Sequence, residues 1–279
     1  MLGLLLIAVF VFREALPVLF DPGIRAEAGP QALTGASLWQ PVGDIPKYGL
    51  LPLVVGTLKV VLVAMSFAVP IAVLAALFAS EFAAPRLREV LKPAVEVLAG
   101  IPSVVLGFFA LMVLASWLQA LNGSIMRLNA LNAGIALALG VIPTVFTVCE
   151  DALHAVPRSY REASLALGAS RWQTAWNVTL PAAGAGIAAG ILLGLARAVG
   201  ETMIVLMASG NAAITSPNIF ESVRTLSATI AAEMAEVVVG SAHYSVLFFL
   251  GALLFTATFV INVAAGAFTE RLRRRLAGA

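Results

Sequence analysis

The segment Arg158-Ser-Tyr-Arg-Glu162-Ala-Ser-Leu-Ala-Leu-Gly168-Ala-Ser-Arg171-Trp-Gln-Thr-Ala-Trp-Asn-Val178-Thr-Leu180-Pro181 is the most patterned polar stretch of a very apolar chain. Pro157 falls near the start of a helix, with Ser159 as a candidate cap, and the residues up to Leu167 are helix-forming. Gly168 permits the positive φ that ends a helix. A second helix is expected from about Arg171 to Leu180, so the segment reads as a short helix-turn-helix. Ala163, Ser164, Ala166 and Ala169 leave little bulk around the turn. Such a knuckle suits insertion into a groove on a partner protein. The spacing alone leaves a second reading open, an interfacial loop that covers the rest of the molecule.

Outward from this segment the chain is greasy on both sides. Of 279 residues, 61% are hydrophobic and 11% are charged, with a mean hydropathy of +0.98. Soluble domains run at roughly 45–50% apolar and about 25% charged. Too little polar surface remains to cover a core of this size. The composition excludes an ordinary cytosolic enzyme and a disordered chain, and one cysteine, Cys149, excludes an internal disulfide framework. An integral membrane protein remains. The net charge of +2 is small and forms no basic stripe, so nucleic acid is not an expected partner.

Apolar runs long enough to cross a bilayer as helices, about 20 residues each, occupy Val60–Ser80, Val97–Met126, Leu128–Cys149, Trp172–Ala196 and Val237–Thr269. The fourth is expected to continue past Arg197 and Glu201 to about Ala208. Helices satisfy their own backbone groups in lipid, so the fold expected is an all-α bundle. Residues 1–20 form a sixth, short span if the helix continues through Arg13 and Glu14 to about Leu19. A signal peptide is the weaker reading of this end, because no basic residue precedes the apolar run. Residues 21–52 read as an outer segment, with Trp39-Gln-Pro41 and Tyr48-Gly49 as an interfacial cap, and residues 221–236 as a short amphipathic helix. Arg86, Arg88, Lys92, Arg158, Arg161, Arg171, Arg271, Arg273, Arg274 and Arg275 fall on one side of such a bundle. Arg13, Arg25, Lys47, Arg127 and Arg224 fall on the other. The excess places both termini and the 150–181 loop in the cytoplasm.

The knuckle carries a resemblance. Glu162-Ala163-Ser164, Gly168 and Val178-x-Leu180-Pro181 resemble the coupling motif of bacterial ABC importer permeases. That motif is Glu-Ala-Ala, three residues, Gly, nine residues, Ile-x-Leu-Pro; Ser164 and Val178 are mild departures. Five positions agree across a 20-residue span of the expected inner loop. Leu98-Ala-Gly100-Ile-Pro102-Ser103-Val-Val-Leu-Gly107 and Arg197-Ala-Val-Gly200-Glu201-Thr202-Met203 further resemble the third- and fifth-helix signatures of PstC-type permeases of high-affinity phosphate importers. Met203, where the sister subunit has Ala-Pro, favours this subunit type, as do Trp39-Gln-Pro41, Tyr48-Gly49 and Gly240-Ser-Ala-His243-Tyr244. The resemblance runs from about residue 13 to 275. It departs at the start, where the family has a basic cytoplasmic stretch.

The resemblance implies a six-helix type I ABC importer transmembrane domain over residues 53–275. Its ATPase-coupling residues would be Glu162, Ala163, Gly168, Leu180 and Pro181, and its substrate path would include Arg197, Glu201, Thr202 and Ser103. It implies a PstA-type second permease subunit, a dimeric PstB-type ATP-binding subunit that holds ATP and Mg, and a periplasmic PstS-type phosphate-binding protein. The chain itself would carry no cofactor and hydrolyse no ATP.

Residue chemistry gives its own account of Arg197 and Glu201. On a continuous helix over about 184–208 they are four apart and share a face. An arginine deep in a bilayer costs about 2.5–3.5 kcal/mol on insertion scales, which is tolerable where the group faces protein or water. Gly186, Gly190 and Gly194 form a ridge on nearly the same side and invite close helix contact. One reading is a self-neutralising Arg–Glu pair that glues helices. The other is a station on an anion path, since a guanidinium fork matches phosphate oxygens and stays charged. Thr144 offers a further hydroxyl. Pro70, Pro102 and Pro143 fall in membrane segments and kink them, and Gly100–Gly107 reads as a bend or a pore-lining stretch. Glu150, Asp151 and His154 have helical spacing and read as an interfacial solvated group or, more remotely, a metal site.

Catalytic machinery is missing. None of Lys47, Lys59 and Lys92 ends a Gly-Lys-Ser/Thr phosphate loop, and there is no His-Glu-x-x-His or Gly-x-Ser-x-Gly motif. The competing readings are a permease of the same superfamily for molybdate, sulfate or phosphonate, and an intramembrane lipid transferase or protease. The last would need a nucleophile or metal set that the sequence does not present.

Overall fold

The computed structural model describes the backbone of residues 2–277 and the side chains of Gly3 and residues 5–271. Met1, as a helix start, and the side chains of Arg273, Arg274 and Arg275, expected as an inner anchor, lie outside the described residues. The chain is almost entirely helical and divides into two compact units. One comprises residues 1–63, 103–137 and 199–259, the other residues 64–102, 138–198 and 260–279.

In chain order the principal helices are α1 (Leu2–Ala15), α2 (Leu51–Glu81), α3 (Pro85–Ala99), α4 (Ser103–Asn122), α5 (Ala130–His154), α6 (Arg158–Ala166), α7 (Arg171–Ala182), α8 (Gly184–Gly200), α9 (Met203–Ala208), α10 (Leu226–Glu233) and α11 (Ala242–Ala277). Among the described residues, four are long and apolar enough to cross a membrane: α2, α4, α5 and the Ala242–Arg271 part of α11. The bent pair α7–α8 makes a fifth if taken as one span. Helix α1 has 14 residues and reaches about 21 Å at 1.5 Å per residue, short of the roughly 30 Å of a hydrocarbon core.

Three expectations need correcting. The first helix does not run on to Leu19. It stops at Ala15, and Pro17 opens a new four-residue helix, because proline lacks the amide that would continue the ladder. The run from Trp172 to Ala208 is three helices, with a 69° bend between α7 and α8 and a break at Glu201–Thr202. The run beginning at Val97 does not start a span either. Val97 and Leu98 belong to α3, which buries no residue. The chain turns at Gly100–Pro102, and the crossing helix begins at Ser103.

In the first unit the segment before α2 folds as a cap. Three short helices, Pro17–Phe20, Pro22–Ala28 and Pro30–Gly35, each start on a proline, the position where a missing amide is harmless. The Asp21 carboxylate accepts from the Gly23 and Ile24 amides, an N-cap for the second of them. Strands β1 (Trp39–Gln40) and β2 (Lys47–Tyr48) pair antiparallel, with Trp39 opposite Tyr48. Both rings are buried beside Leu33, Leu53, Leu247 and Leu250, so the expected aromatic cap forms. Its polar atoms converge on Glu233 of α10, which takes Trp39 Nε1 at 3.1 Å and Arg224 Nη2 at 2.6 Å. Burial of the Tyr48 ring, and then the Glu27 carboxylate beside it, push the pKa of that phenol well above its usual value.

Candidate translocation path and coupling knuckle

The knuckle in the second unit folds as the glycine and small residues dictate. Helix α6 ends at Ala166, and Gly168 takes φ +85°. The Gly168 and Ala169 amides donate to Leu165 and Ser164 carbonyls at 3.0 and 3.2 Å, satisfying helix-end acceptors. Ser159 does not cap α6; the N-cap position is Pro157, which has no side chain to do it. The real cap sits on α7. Ser170 Oγ accepts from the Gln173 amide at 3.2 Å, and Gln173 Oε1 accepts from the Ser170 amide at 2.8 Å, a reciprocal capping box. A hydroxyl pair, Ser164 to Thr174 at 2.9 Å, ties the two helices together.

Glu162, Ala163 and Gly168 are exposed, and Leu167 beside the turn is 90% exposed; Glu162 also lines a cavity with Glu81 and Arg161. Leu180 and Pro181 lie at the far end of α7, beyond a π-helical turn at Ala175–Thr179 and just before the bend. A side chain at 168 would meet open space. Any cost of Gly168→Val therefore comes from the backbone, about 1–2 kcal/mol for an L-residue in the left-handed region. The expected result is a knuckle that docks poorly. ATP hydrolysis by the assembled complex should lose its stimulation by transported solute, while Gly168→Ala shows a milder loss. Full coupling in the valine variant would exclude a role for this turn.

Sequence reading missed what holds the knuckle down. Arg161 Nη2 lies 2.7 Å from Glu81 Oε1 at the end of α2, and Nε donates to the same carboxylate at 3.0 Å. Its remaining donors reach Leu153 O in the last turn of α5 at 2.8 Å and Val156 O just past its end at 2.7 Å. Arg171 Nη2 donates to the Glu81 carbonyl at 2.7 Å. Glu150 is likewise not a solvated group. It is 3% exposed and takes Arg88 at 2.6 Å and Lys92 at 3.1 Å, both from α3. Hydrogen bonds to Asp151 and then to Glu150 hold the Lys92 ammonium pKa above its usual value. These pairs join residues 58 to 80 positions apart, which no local pattern announces.

Arg197 lies in the last turn of α8 and is exposed. Its Nη1 donates to Thr144 Oγ1 of α5 at 2.8 Å. Within its own unit, and among the described residues, no carboxylate pairs with it. The glycine ridge explains the approach of the two helices. A Cβ at Gly186 would sit 2.3 Å from Ala152 Cβ, and one at Gly194 2.4 Å from Val145 Cγ2, so α8 packs on α5 through bare backbone.

Glu201 and Thr202 belong to the other unit and stand outside any helix. The one-face relation with Arg197 therefore does not arise from helical periodicity, because α8 ends at Gly200. Glu201 Oε1 accepts from the Thr202 amide at 3.2 Å, and its carbonyl accepts from Ser227 Oγ at 2.8 Å. Ser103 opens α4 in this unit. Four residues on, Gly107 lets α4 press against α9, where an added Cβ would be 3.0 Å from Met203 O. The Gly100–Gly107 stretch is thus both a bend, at Gly100–Pro102, and a packing surface.

Residues 68–277 match the family described as binding-protein-dependent transport system inner membrane component. The chain belongs to this family. It is a multi-pass inner-membrane permease of the ABC transporter class, the non-catalytic component that works with a separate ATPase and a solute-binding protein. Among curated relatives, the permease is 36% identical over 222 residues to the probable ABC transporter permease protein YqgH of Bacillus subtilis, covering 80% of this chain and 72% of that one. It is 34% identical to the phosphate transport system permease protein PstC of Xylella fastidiosa, with 85% and 78% covered. Against PstC 1 of Mycobacterium tuberculosis the identity is 36%, with 84% and 75% covered. Among solved structures, a bacterial alginate ABC transporter bound to its periplasmic protein aligns with a TM-score of 0.65 at 15% identity, over 97% of the permease and 92% of that chain. The MetNI methionine transporter in an inward-facing conformation aligns at 0.59 and 19%, over 80% and 94%. These structures establish the type I importer fold of the permease.

Proposed function

We propose that this permease forms half of the translocation pathway of an ATP-driven phosphate importer. It would pair with a PstA-type sister subunit, dock a PstB-type ATPase dimer on the knuckle and receive phosphate from a PstS-type binding protein. The observation that carries the reading is the likeness to relatives named PstC, at 33–36% identity over about 85% of the chain. The orientation proposed has both termini and the knuckle in the cytoplasm. Residues 1–20, as α1 followed by the short Pro17–Phe20 helix, then make the first membrane segment, 21–52 the periplasmic segment and 53–275 the permease domain.

In this reading Arg197 is the anion contact. Thr144 fixes one arm of its guanidinium and leaves the rest of the fork for a phosphate oxygen pair. Glu201 and Thr202 supply a carboxylate and a hydroxyl just past the end of the same helix. A carboxylate can accept the proton of HPO4²⁻, which sulfate and molybdate do not carry, and this favours phosphate. Ser103 offers another hydroxyl on the path. Glu162, Ala163, Gly168, Leu180 and Pro181 transmit ATPase closure.

Uptake of labelled phosphate into vesicles carrying the complete complex tests the reading. Unlabelled phosphate should suppress the signal, while equal molybdate, sulfate or phosphonate should leave it within about twofold. Suppression by one of those anions at concentrations where phosphate has no effect would transfer the assignment to that anion. Catalytic turnover by the isolated chain without an ATPase would overturn transport altogether.

A further inference from the structure

Two cavities lie on one continuous stripe of α2 within the second unit. The first, about 380 Å³, is lined by Ser80 and Glu81 at the end of α2 together with Arg88, Arg158, Arg161 and Arg171. The second, about 490 Å³, is walled by Pro70, Val73, Leu74 and Leu77 of α2 and by Trp176 and Ile187 opposite. Positions 70, 73, 74, 77, 80 and 81 share one helix face, so the two cavities follow one another along α2. Ring contacts link the two linings. Arg171 lies 6.0 Å over the Phe82 ring, Phe82 is 5.7 Å from Trp172, and Trp172 is 5.6 Å from Trp176, which lines the groove. Tryptophans mark the depth where headgroups meet acyl chains.

The charge of the pocket is unbalanced. Arg161 is paired with Glu81 and Arg88 with Glu150, which leaves Arg158 and Arg171 with Glu162 as the one further carboxylate in the lining. Among the described residues Arg158 makes no ion pair. Arg161 and Arg171 are fixed by their bonds to α2 and α5, so the site is built before any ligand arrives. A purely anionic solute would leave the adjoining groove unexplained, and an apolar helix would leave the arginines without a counter-charge. One amphiphile satisfies both halves. We propose that these two neighbouring cavities together bind an anionic glycerophospholipid, its phosphate held by Arg158 and Arg171 and one acyl chain lying along α2 against Trp176. The site lies at the base of the coupling knuckle, so lipid occupancy supports the same α2–α6 junction on which the ATPase acts.

Purified complex in nanodiscs of phosphatidylcholine alone, or with one fifth phosphatidylglycerol, tests this by native mass spectrometry and ATPase rate. Wild type should retain phosphatidylglycerol selectively and hydrolyse ATP faster in the mixed discs. Arg158→Gln should weaken retention about fivefold, the change expected for one basic contact to an anionic lipid, and Arg158→Lys should restore most of it. Val73→Trp, which fills the groove without touching charge, should reduce retention of both lipids and abolish the ATPase stimulation. Equal retention of phosphatidylcholine and phosphatidylglycerol by wild type would overturn the proposal. So would inorganic phosphate displacing nothing yet binding the pocket in an Arg158-dependent way, which assigns the site to the free anion. Efficient cross-linking of a Val73→Cys variant to the second permease subunit would show the groove covered by protein, and would also overturn it.

Discussion

Arg197→Gln is expected to abolish phosphate uptake while leaving the complex assembled. The side chain is exposed and its one bond from the described structure is to Thr144, so its removal leaves no buried charge or cavity in its own unit. What is lost is a set of charge-assisted hydrogen bonds to the anion. At about 1.5–3 kcal/mol for a hydrogen bond to a charged group, losing one such contact corresponds to roughly 10- to 150-fold, and a fork engages two. Arg197→Lys should retain part of the rate, because it keeps the charge and loses the planar fork. Thr144→Val leaves the charge in place and frees the guanidinium, so it should fall between the two. The measurement is initial uptake in vesicles at matched complex levels. Normal uptake by the glutamine variant would remove Arg197 from the path.

Gly186→Leu is expected to give the largest loss of stability of any single change on α8. A Cβ at 186 would meet Ala152 Cβ at 2.3 Å and Ala152 Cα at 3.4 Å. Alanine has no rotamer with which to retreat, so α8 must move off α5 as a body. Overpacking of this kind costs about 1–3 kcal/mol and occasionally more. At Gly194 the obstacle is a valine methyl, Val145 Cγ2 at 2.4 Å, which can rotate, so Gly194→Ala should be milder. Thermal unfolding of the detergent-purified complex and its yield from membranes read the difference. An unchanged transition for Gly186→Leu would mean that the glycine ridge is not the contact between α8 and α5.

The contrast between these two sites shows what the sequence could reveal. A glycine every fourth residue is visible in one dimension and means close contact wherever it occurs. It therefore located the α8 surface before its partner was known. Gly168 was equally legible, since a glycine between two helix-forming stretches has few other uses. Long charge-free runs indicate α2, α5 and α11, with ends that differ from the helix ends by up to nine residues, as at Val60 against Leu51. The break at Glu201–Thr202 was hidden because Gly200 sits among residues that continue a helix equally well, and the choice between continuing and stopping was made by tertiary contacts such as Ser227 Oγ to the Glu201 carbonyl. The bend after Ala182 was hidden for a similar reason, although Pro181 stands beside it. The capping box at Ser170–Gln173 follows a local pattern, Ser-x-x-Gln, that marks helix starts, whereas Ser159 is the second residue of α6 and caps nothing. The Arg161–Glu81 pair could not have been read at all, since nothing local distinguishes that arginine from its neighbours at 158 and 171.

That pair has a mechanical consequence. A single guanidinium bonds the last turn of α2 through Glu81, the last turn of α5 through the Leu153 carbonyl and the chain just beyond it through Val156, and it is itself rooted in α6. Three rods meet at one rivet. If the knuckle docks the ATPase as proposed, torque applied to α6 would be shared between the ends of two long helices without passing through a flexible linker.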